Sequence, residues 1–187
     1  MLALLLPTVS VAETRRVVRQ GTIVSVVLAP PKGDRLSWAI QKLAELGVDE
    51  VVLVETERSV RAWPKGRVER ALERQRTVAR EAAMQARLPF VVAIRAGEVP
   101  LAAPGASDVQ TVMLTGGASE RLGAALLDRA SAVRLLIGPE GGFTEREVQA
   151  ARAAGAVVAS LGSAILRTET AAVVGAALVL AHYGRLG

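Results

Sequence analysis

Residues 135–147 read L-L-I-G-P-E-G-G-F-T-E-R-E, and this segment has the pattern of a strand, a glycine-rich loop and the start of a helix. An apolar run stops at Gly138, and two more glycines follow Glu140. Thr144 and Glu147 then have the spacing of a capping box, which starts a helix. Ligands of open α/β sheets bind at the carboxyl ends of the strands, and glycine lets the backbone approach a ligand closely. An ordinary turn needs only one glycine, so we expect a ligand-binding loop between a strand and a helix.

Strand and helix patterns alternate along the rest of the chain. Short apolar and β-branched runs predict strands at residues 22–29, 50–54, 90–94, 111–114, 133–137 and 156–161. Apolar residues at helical spacing predict helices at 34–46, 66–87, 119–130, 144–154 and 170–183, with a loop at 97–107. This alternation predicts an α/β fold with one mostly parallel sheet and helices on both faces. The last helix is apolar nearly all round, so it must be buried in the domain or against a partner subunit.

Composition excludes several classes of site. The chain has 187 residues, enough for one α/β domain, and its net charge of +5 only weakly favours a nucleic-acid partner. It has no Cys, which excludes disulfides, thiolate nucleophiles and Cys-ligated zinc. Its single histidine, His182, has no G-x-S-x-G motif to accompany it, and no P-loop is present. No acidic cluster has the spacing of a metal site, so we expect no metal.

The apolar N-terminus resembles a signal peptide, but no Lys or Arg precedes the apolar run and Pro7 interrupts it. We therefore expect a cytoplasmic protein. The apolar run at 171–181 is far shorter than the roughly 20 residues that span a bilayer, so no membrane association is expected.

Two further predicted strands end in glycine-bearing segments. One is L-T-G-G at 114–117, and the other is L-G-S-A-I-L-R-T-E-T-A-A at 161–172. Thr168 or Thr170 could simply cap the next helix, with Glu169 favouring its dipole. Arg167 does not fit that explanation, because a cation near a helix N-terminus is unfavourable unless it faces an anion.

Four motifs together carry a resemblance to a known family. They are the two glycine-rich segments at 135–147 and 161–172, P-K-G-D-R-L-S-W-A-I-Q-K-L-A-E-L-G-V at 31–48, and E-A-A-M-Q-A-R at 81–87. In this order they resemble the RsmE family, the small-subunit ribosomal RNA (uracil-N3) methyltransferases of the SPOUT class. The resemblance runs from about residue 30 to the C-terminus.

The resemblance implies a deep trefoil knot in the C-terminal part, S-adenosylmethionine bound within it, and a homodimer with its active site near the subunit interface. It implies that the substrate is small-subunit (16S) ribosomal RNA and that the last helix lines the knot and the dimer contact. The residues implied to bind the cofactor are Leu114, Thr115, Gly116, Ile137, Gly138, Pro139, Glu140, Gly141, Gly142, Leu161, Gly162, Ile165, Leu166 and Thr168.

Catalytic roles follow from the chemistry of uracil, whose N3 is a poor nucleophile until its proton leaves or is shared. We expect Arg167 to stabilise the negative charge that develops on uracil, and Glu140 and Glu169 to act as bases or to orient the cofactor. The candidate substrate contacts are Lys32, Arg35, Lys42, Arg58, Gln85 and Arg87. Each of these cations could instead be a solvated charge paired with a neighbour such as Asp34, Glu45 or Glu57.

The sequence departs from the family pattern at its N-terminus. The family carries an N-terminal PUA-like β-barrel, whereas only about 30 residues precede the first motif. We expect residues 1–29 to be a remnant of that region and residues 30–187 to form the methyltransferase domain. Two alternatives remain at this point: a SPOUT methyltransferase acting on another base or on a ribose 2′-hydroxyl, and a non-catalytic knotted RNA-binding protein.

Overall fold

The structure, a computed structural model, describes residues 12–14, 16–59, 68–99 and 108–186. Six strands in these ranges form one sheet in which every pair of neighbours is parallel, in the order β3-β2-β1-β5-β4-β6. The strands are β1 (Ile23–Leu28), β2 (Glu50–Val54), β3 (Ala93–Gly97), β4 (Val109–Leu114), β5 (Ala132–Ile137) and β6 (Val157–Ala159). The helices are α1 (Arg35–Glu45), α2 (Val68–Gln85), α3 (Leu122–Ala125), α4 (Glu145–Ala153) and α5 (Thr168–His182).

The helices cover both faces of the sheet. Val24, Val26 and Leu28 of β1 point to a core shared with α1, α2, α3 and α5. Val27 of the same strand points to a second cluster that includes Ala151 of α4. Alternate residues of a strand face opposite sides, so a central strand covered on both sides is apolar throughout. The predicted α/β fold, with its mostly parallel sheet, is confirmed.

Two predicted elements differ from the structure. The helix expected at 119–130 is the single turn α3, because the side-chain amide of Gln110 donates to the carbonyl oxygen of Ala125 (2.7 Å) and accepts from the backbone N–H of Leu127 (3.1 Å). Before this turn, the chain is extended at Arg121, which bridges to Ser160. The strand expected at 90–94 starts three residues later, at Ala93, which pairs with Glu50, the first residue of β2.

β1 lies at the centre of the sheet and pairs along its length with β2 and β5. The sheet therefore begins before residue 30, where we expected the methyltransferase domain to begin. The origin of the preceding residues in a PUA-like region stays a prediction, as does the trefoil knot. Within the described ranges, no helix is long and apolar enough to cross a membrane, and no three His, Cys, Asp or Glu side chains are grouped as metal ligands would be.

A buried carboxylate, Asp49, joins both ends of the described chain to the sheet. It accepts a hydrogen bond from the backbone N–H of Val24 (2.7 Å) and forms ion pairs with Arg19 and Arg185. Burial, the largest influence, acts to raise the pKa of Asp49, but the hydrogen bonds from Arg185, Val24 and Arg19 hold that pKa below its ordinary value of 3.8.

The helix α5 packs closely on the sheet at Gly175, which is buried. A Cβ atom at this position would lie 2.7 Å from Cδ2 of Leu135 and 3.0 Å from Cδ1 of Leu114. Glycine is unfavourable in the interior of a helix. At position 175, however, it allows the axis of α5 to approach β5 and β4 closely. Leu114 is also the last residue of β4, so this contact positions α5 against the carboxyl end of β4.

Candidate functional site

The carboxyl ends of β5, β4 and β6 surround a cavity of about 640 Å³. These strands are neighbours in the sheet, so the segments that follow them meet at one edge. The register places Leu114 beside both Ile137 and Ala159. All three glycine-bearing segments identified in the sequence therefore contribute to one cavity.

Every residue that the sequence implied as a cofactor contact lines this cavity, and Arg167 lines it as well. The structure thus brings together segments that lie about 20 to 50 residues apart in the chain. Arg58, expected at the substrate, lines the cavity too. The lining residues that no motif indicated are Gly117, Ala118, Phe143, Glu145, Val148, Arg152, Val158, Ala164 and Ala171.

Glycines leave room for a ligand at the first wall. Cβ atoms built on Gly116 and Gly117 would have no atom of a residue beyond their chain neighbours within 4 Å, and both residues line the cavity. Gly142 lies in the segment at residues 135–147, the middle segment of the three. Its φ of +68° is a conformation that favours glycine. A Cβ atom on Gly141 would instead lie 3.4 Å from Cβ of Arg58, so this glycine faces a protein side chain.

The middle segment is held at both ends. The predicted capping box is present: the backbone N–H of Thr144 donates to Glu147 (2.7 Å), and that of Glu147 donates to the Thr144 hydroxyl (3.2 Å). At the other end, the Thr168 hydroxyl donates to the carbonyl oxygen of Gly138, 3.1 Å away. This bond links the middle segment directly to the start of α5.

Arg58 connects the segment that follows β2 to the middle segment. Its guanidinium donates to the carbonyl oxygens of Gly141 (2.9 Å) and Phe143 (3.4 Å). The neighbouring Glu57 forms an ion pair with Arg146 (2.7 Å) and not with Arg58. We expected Arg58 to contact phosphate, but the structure shows it bound to the backbone of the glycine-rich segment.

Arg167 is the N-cap residue of α5, and it is exposed. Its backbone carbonyl oxygen accepts from the N–H of Ala171 (2.8 Å), but its guanidinium has no hydrogen-bond or ion-pair partner among the described residues. The dipole of α5 disfavours a cation at this end, so the guanidinium is placed for an anion that the described residues do not supply. Its position is the one that the sequence indicated.

The two candidate carboxylates differ in access. Glu140 lines the cavity and its side chain is 32% exposed. Glu169 does not line it, and its side chain is 9% exposed, with Oε2 buried and without a hydrogen-bond partner in the part of the chain that the structure describes. Arg35 lies between them, 3.7 Å from each carboxylate, and the backbone N–H of Lys32 donates to Glu140 (3.3 Å).

Three other candidate substrate contacts lie away from the cavity. Lys42 pairs with Glu45 in the last turn of α1, at 2.7 Å. Gln85 ends α2, and Arg87 follows it in a left-handed conformation with φ 55°. Since α2 runs back to the start of β3, these ends of α1 and α2 lie at the opposite edge of the sheet. The structure does not bring these three residues to the site.

Arg152 is the cation that sequence analysis missed. It lies in the last turn of α4 and lines the cavity because α4 packs beside β6. In the sequence it is an ordinary basic residue at the end of a helix, and no motif marks it.

Comparison with known proteins agrees with this geometry. The model of a family described as RNA methyltransferase domain matches residues 19–180. A relative from Mycobacterium tuberculosis, named ribosomal RNA small subunit methyltransferase E, is 36% identical over 157 residues, covering 81% of this chain and 60% of the relative. A relative of the same name from Bacillus subtilis is 32% identical over 152 residues, covering 75% of this chain and 59% of the relative. The chain thus spans about 60% of the length of these curated relatives.

Among solved structures, ribosomal RNA small subunit methyltransferase E from Neisseria gonorrhoeae, bound to S-adenosyl methionine, superposes with a TM-score of 0.78 and 27% identity. The superposition covers 87% of this chain and 67% of that one. The resemblance to RsmE that the four motifs indicated is confirmed by these relatives. With its cavity, its sheet and the family model in agreement, the chain belongs to the RNA methyltransferase domain family.

Proposed function

We propose that the chain transfers a methyl group from S-adenosylmethionine to N3 of a uridine in small-subunit (16S) ribosomal RNA. The observation that carries the proposal is the convergence of the three glycine-bearing segments on one cavity of about 640 Å³. A cavity of this size suits a cofactor or a drug-sized ligand. The names of the relatives support methyl transfer to small-subunit ribosomal RNA, and the uridine and its N3 follow from the resemblance of the four motifs to the RsmE family. The proposed site of action is the cytoplasm, where that RNA resides.

The residues of the cavity fit the cofactor. Open space beside Gly116 and Gly117 allows a ligand to contact the backbone of the first segment. Apolar side chains of Leu114, Ile137 and Leu166 line the same cavity and suit the uncharged parts of a nucleoside. When bound, S-adenosylmethionine supplies a methyl group on a sulfonium. The chain's own contribution is to hold the acceptor in line with that methyl group and to stabilise charge.

Arg167 is proposed as the group that stabilises uracil as its N3 proton leaves. The support is its position on the cavity without a partner among the described residues, at a helix end that favours an arriving negative charge. Glu140 is the better placed of the two candidate bases, since it lines the cavity and is partly exposed. Glu169 is buried away from the lining and is assigned a supporting role.

A homodimer is also proposed, with α5 in the interface. Val174 and Leu178 of this helix are 37% and 46% exposed. Leu166 and Ile165, which precede the helix, are 36% and 97% exposed, and both also line the cavity. An apolar surface that continues into the cavity supports a second copy that covers the helix and closes the site.

The test begins with calorimetry of S-adenosylmethionine binding to the full chain, where we expect one site per chain. The second step is methylation of 16S ribosomal RNA and of assembled small subunits with labelled cofactor, followed by nuclease digestion and mass spectrometry of the nucleosides. The expected product is 3-methyluridine. A methyl group on another base or on a ribose would contradict the proposed target. Cofactor binding without transfer to either RNA would favour a non-catalytic RNA-binding protein.

A further inference from the structure

Arg35 occupies an unusual position for a cation. It is the first residue of α1, whose first turn contains no acidic residue and whose N-cap, Asp34, makes no side-chain capping bond. The positive end of the helix dipole disfavours a cation there. The side chain of Arg35 is 43% exposed, so it faces solvent as well as the neighbouring segments.

Two carboxylates from other segments offset the unfavourable interaction of Arg35 with the helix dipole. Nη1 of Arg35 lies 3.7 Å from Oε1 of Glu140, and its Nε lies 3.7 Å from Oε1 of Glu169. Both distances are too long for direct hydrogen bonds, so the guanidinium acts as a charge placed between two anions. The backbone N–H of Lys32, on the same segment, also donates to Glu140 (3.3 Å).

The two carboxylates belong to two walls of the cavity. Glu140 is part of the middle glycine-rich segment, and Glu169 is the second residue of α5, next to the cavity residue Thr168. Glu169 is the more dependent on its cation, because its side chain is 9% exposed and its Oε2 has no hydrogen-bond partner among the described residues. A buried charge that loses its only counter-ion is strongly destabilised.

We propose that Arg35 is a positioning residue of the methyl-transfer site, which sets the spacing between the middle segment and the start of α5 by pairing with Glu140 and Glu169. It acts on the bound cofactor through these walls and does not contact the RNA backbone. This inference rests on the proposed function, because it concerns the same cavity. It replaces the expectation that Arg35 is a phosphate contact.

The test measures S-adenosylmethionine affinity by calorimetry in the absence of RNA. Arg35→Ala should weaken binding on the order of tenfold, as expected for groups coupled in one network. Arg35→Lys should retain part of the affinity, since it keeps the charge but not the fork that reaches two partners. The matched control is Arg74→Ala, which removes a similar ion pair of 3.8 Å to Asp34. The control should bind as the wild type does.

A second variant separates positioning from general damage. Adding Glu169→Gln to Arg35→Ala removes the buried charge that lost its counter-ion, so the double variant should bind the cofactor more tightly than Arg35→Ala alone. Thermal unfolding of every variant accompanies the measurement. An Arg35→Ala variant with wild-type cofactor affinity and a raised KM for RNA would overturn the proposal in favour of a phosphate contact. A double variant that binds no better than Arg35→Ala would also overturn it, whereas a wild-type chain without cofactor affinity would refute the proposed function itself.

Discussion

The hydroxyl group of Thr168 donates to the carbonyl oxygen of Gly138 at 3.1 Å, so the first residue of α5 is bonded to the first residue after β5. Thr168 is 5% exposed, which keeps water away from this bond. The Thr168 side chain therefore joins directly the same two walls of the proposed cofactor site that Arg35 bridges through Glu140 and Glu169.

Thr168→Val removes the hydroxyl while keeping the shape, and it leaves the Gly138 carbonyl without this partner. The expected loss is about 1 to 2 kcal/mol, roughly 5- to 30-fold in S-adenosylmethionine affinity by calorimetry. Thr168→Ser should bind normally. Thr77→Val, which removes a hydroxyl-to-carbonyl bond of 3.1 Å within α2, is the control. Equal affinity in the two valine variants would show that the Thr168 bond does not shape the site.

Arg167→Ala should lower the rate of methyl transfer by about 10²-fold or more, as removal of one charge-stabilising donor does. Cofactor affinity should change little, because the positively charged sulfonium gains nothing from a nearby cation. Single-turnover methylation of ribosomal RNA at saturating cofactor measures the effect. Arg167→Lys should rescue poorly, since a point charge cannot fork to two acceptors.

The control for Arg167 is Arg80→Ala, which removes another exposed arginine, on α2. Its single-turnover rate should match that of the wild type. A wild-type rate for Arg167→Ala, or a loss explained entirely by weaker cofactor binding, would contradict the role proposed for this residue.

Gly116→Val should abolish or greatly weaken cofactor binding, because its side chain would project into space that the protein leaves open beside the cavity. The fold should survive, since no residue other than the chain neighbours has an atom within 4 Å of the new Cβ atom. Gly123→Val is a matched control, as Gly123 has equal room but does not line the cavity. Calorimetry and circular dichroism are the measurements. Normal binding by Gly116→Val would place the ligand elsewhere.

The ionisation of Asp49 makes the free energy of unfolding depend on pH. Because its folded-state pKa lies below the ordinary value of 3.8, the ionised carboxylate contributes its full stabilisation above that value. The contribution is lost as the pH falls through the lower, folded-state pKa. Urea unfolding from about pH 6 to about pH 3 should therefore show a steeper loss in the wild type than in Asp49→Asn, which is less stable at neutral pH. Asp34→Asn, at a side chain 99% exposed, should follow the wild-type profile. Identical pH profiles for Asp49→Asn and the wild type would contradict this origin.

Local patterns were sufficient wherever local chemistry decides the structure. The capping box at Thr144 and Glu147 and the glycines after β5 identified the cavity wall correctly, since caps and turns depend on neighbouring residues. The convergence of three segments also followed, because parallel strands end at one edge.

Contacts between distant residues were not visible in the sequence. Gln110 ends α3 through bonds to Ala125 and Leu127, and nothing near residue 125 indicates this. Likewise, the sequence suggested a phosphate contact for Arg58, whose guanidinium instead binds the backbone carbonyl oxygen of Gly141, 83 positions away in the chain. The helix start after Arg167, by contrast, is a local pattern and could be predicted.

The packing at Gly175 has a consequence for the evolution of the family. Since a Cβ atom there would lie 2.7 Å from Leu135 and 3.0 Å from Leu114, the three positions share one fixed volume. Among relatives, a larger residue at 175 should occur only where 135 or 114 carries a smaller side chain. These three positions are therefore expected to covary across the family, even though α5, β5 and β4 are far apart along the chain.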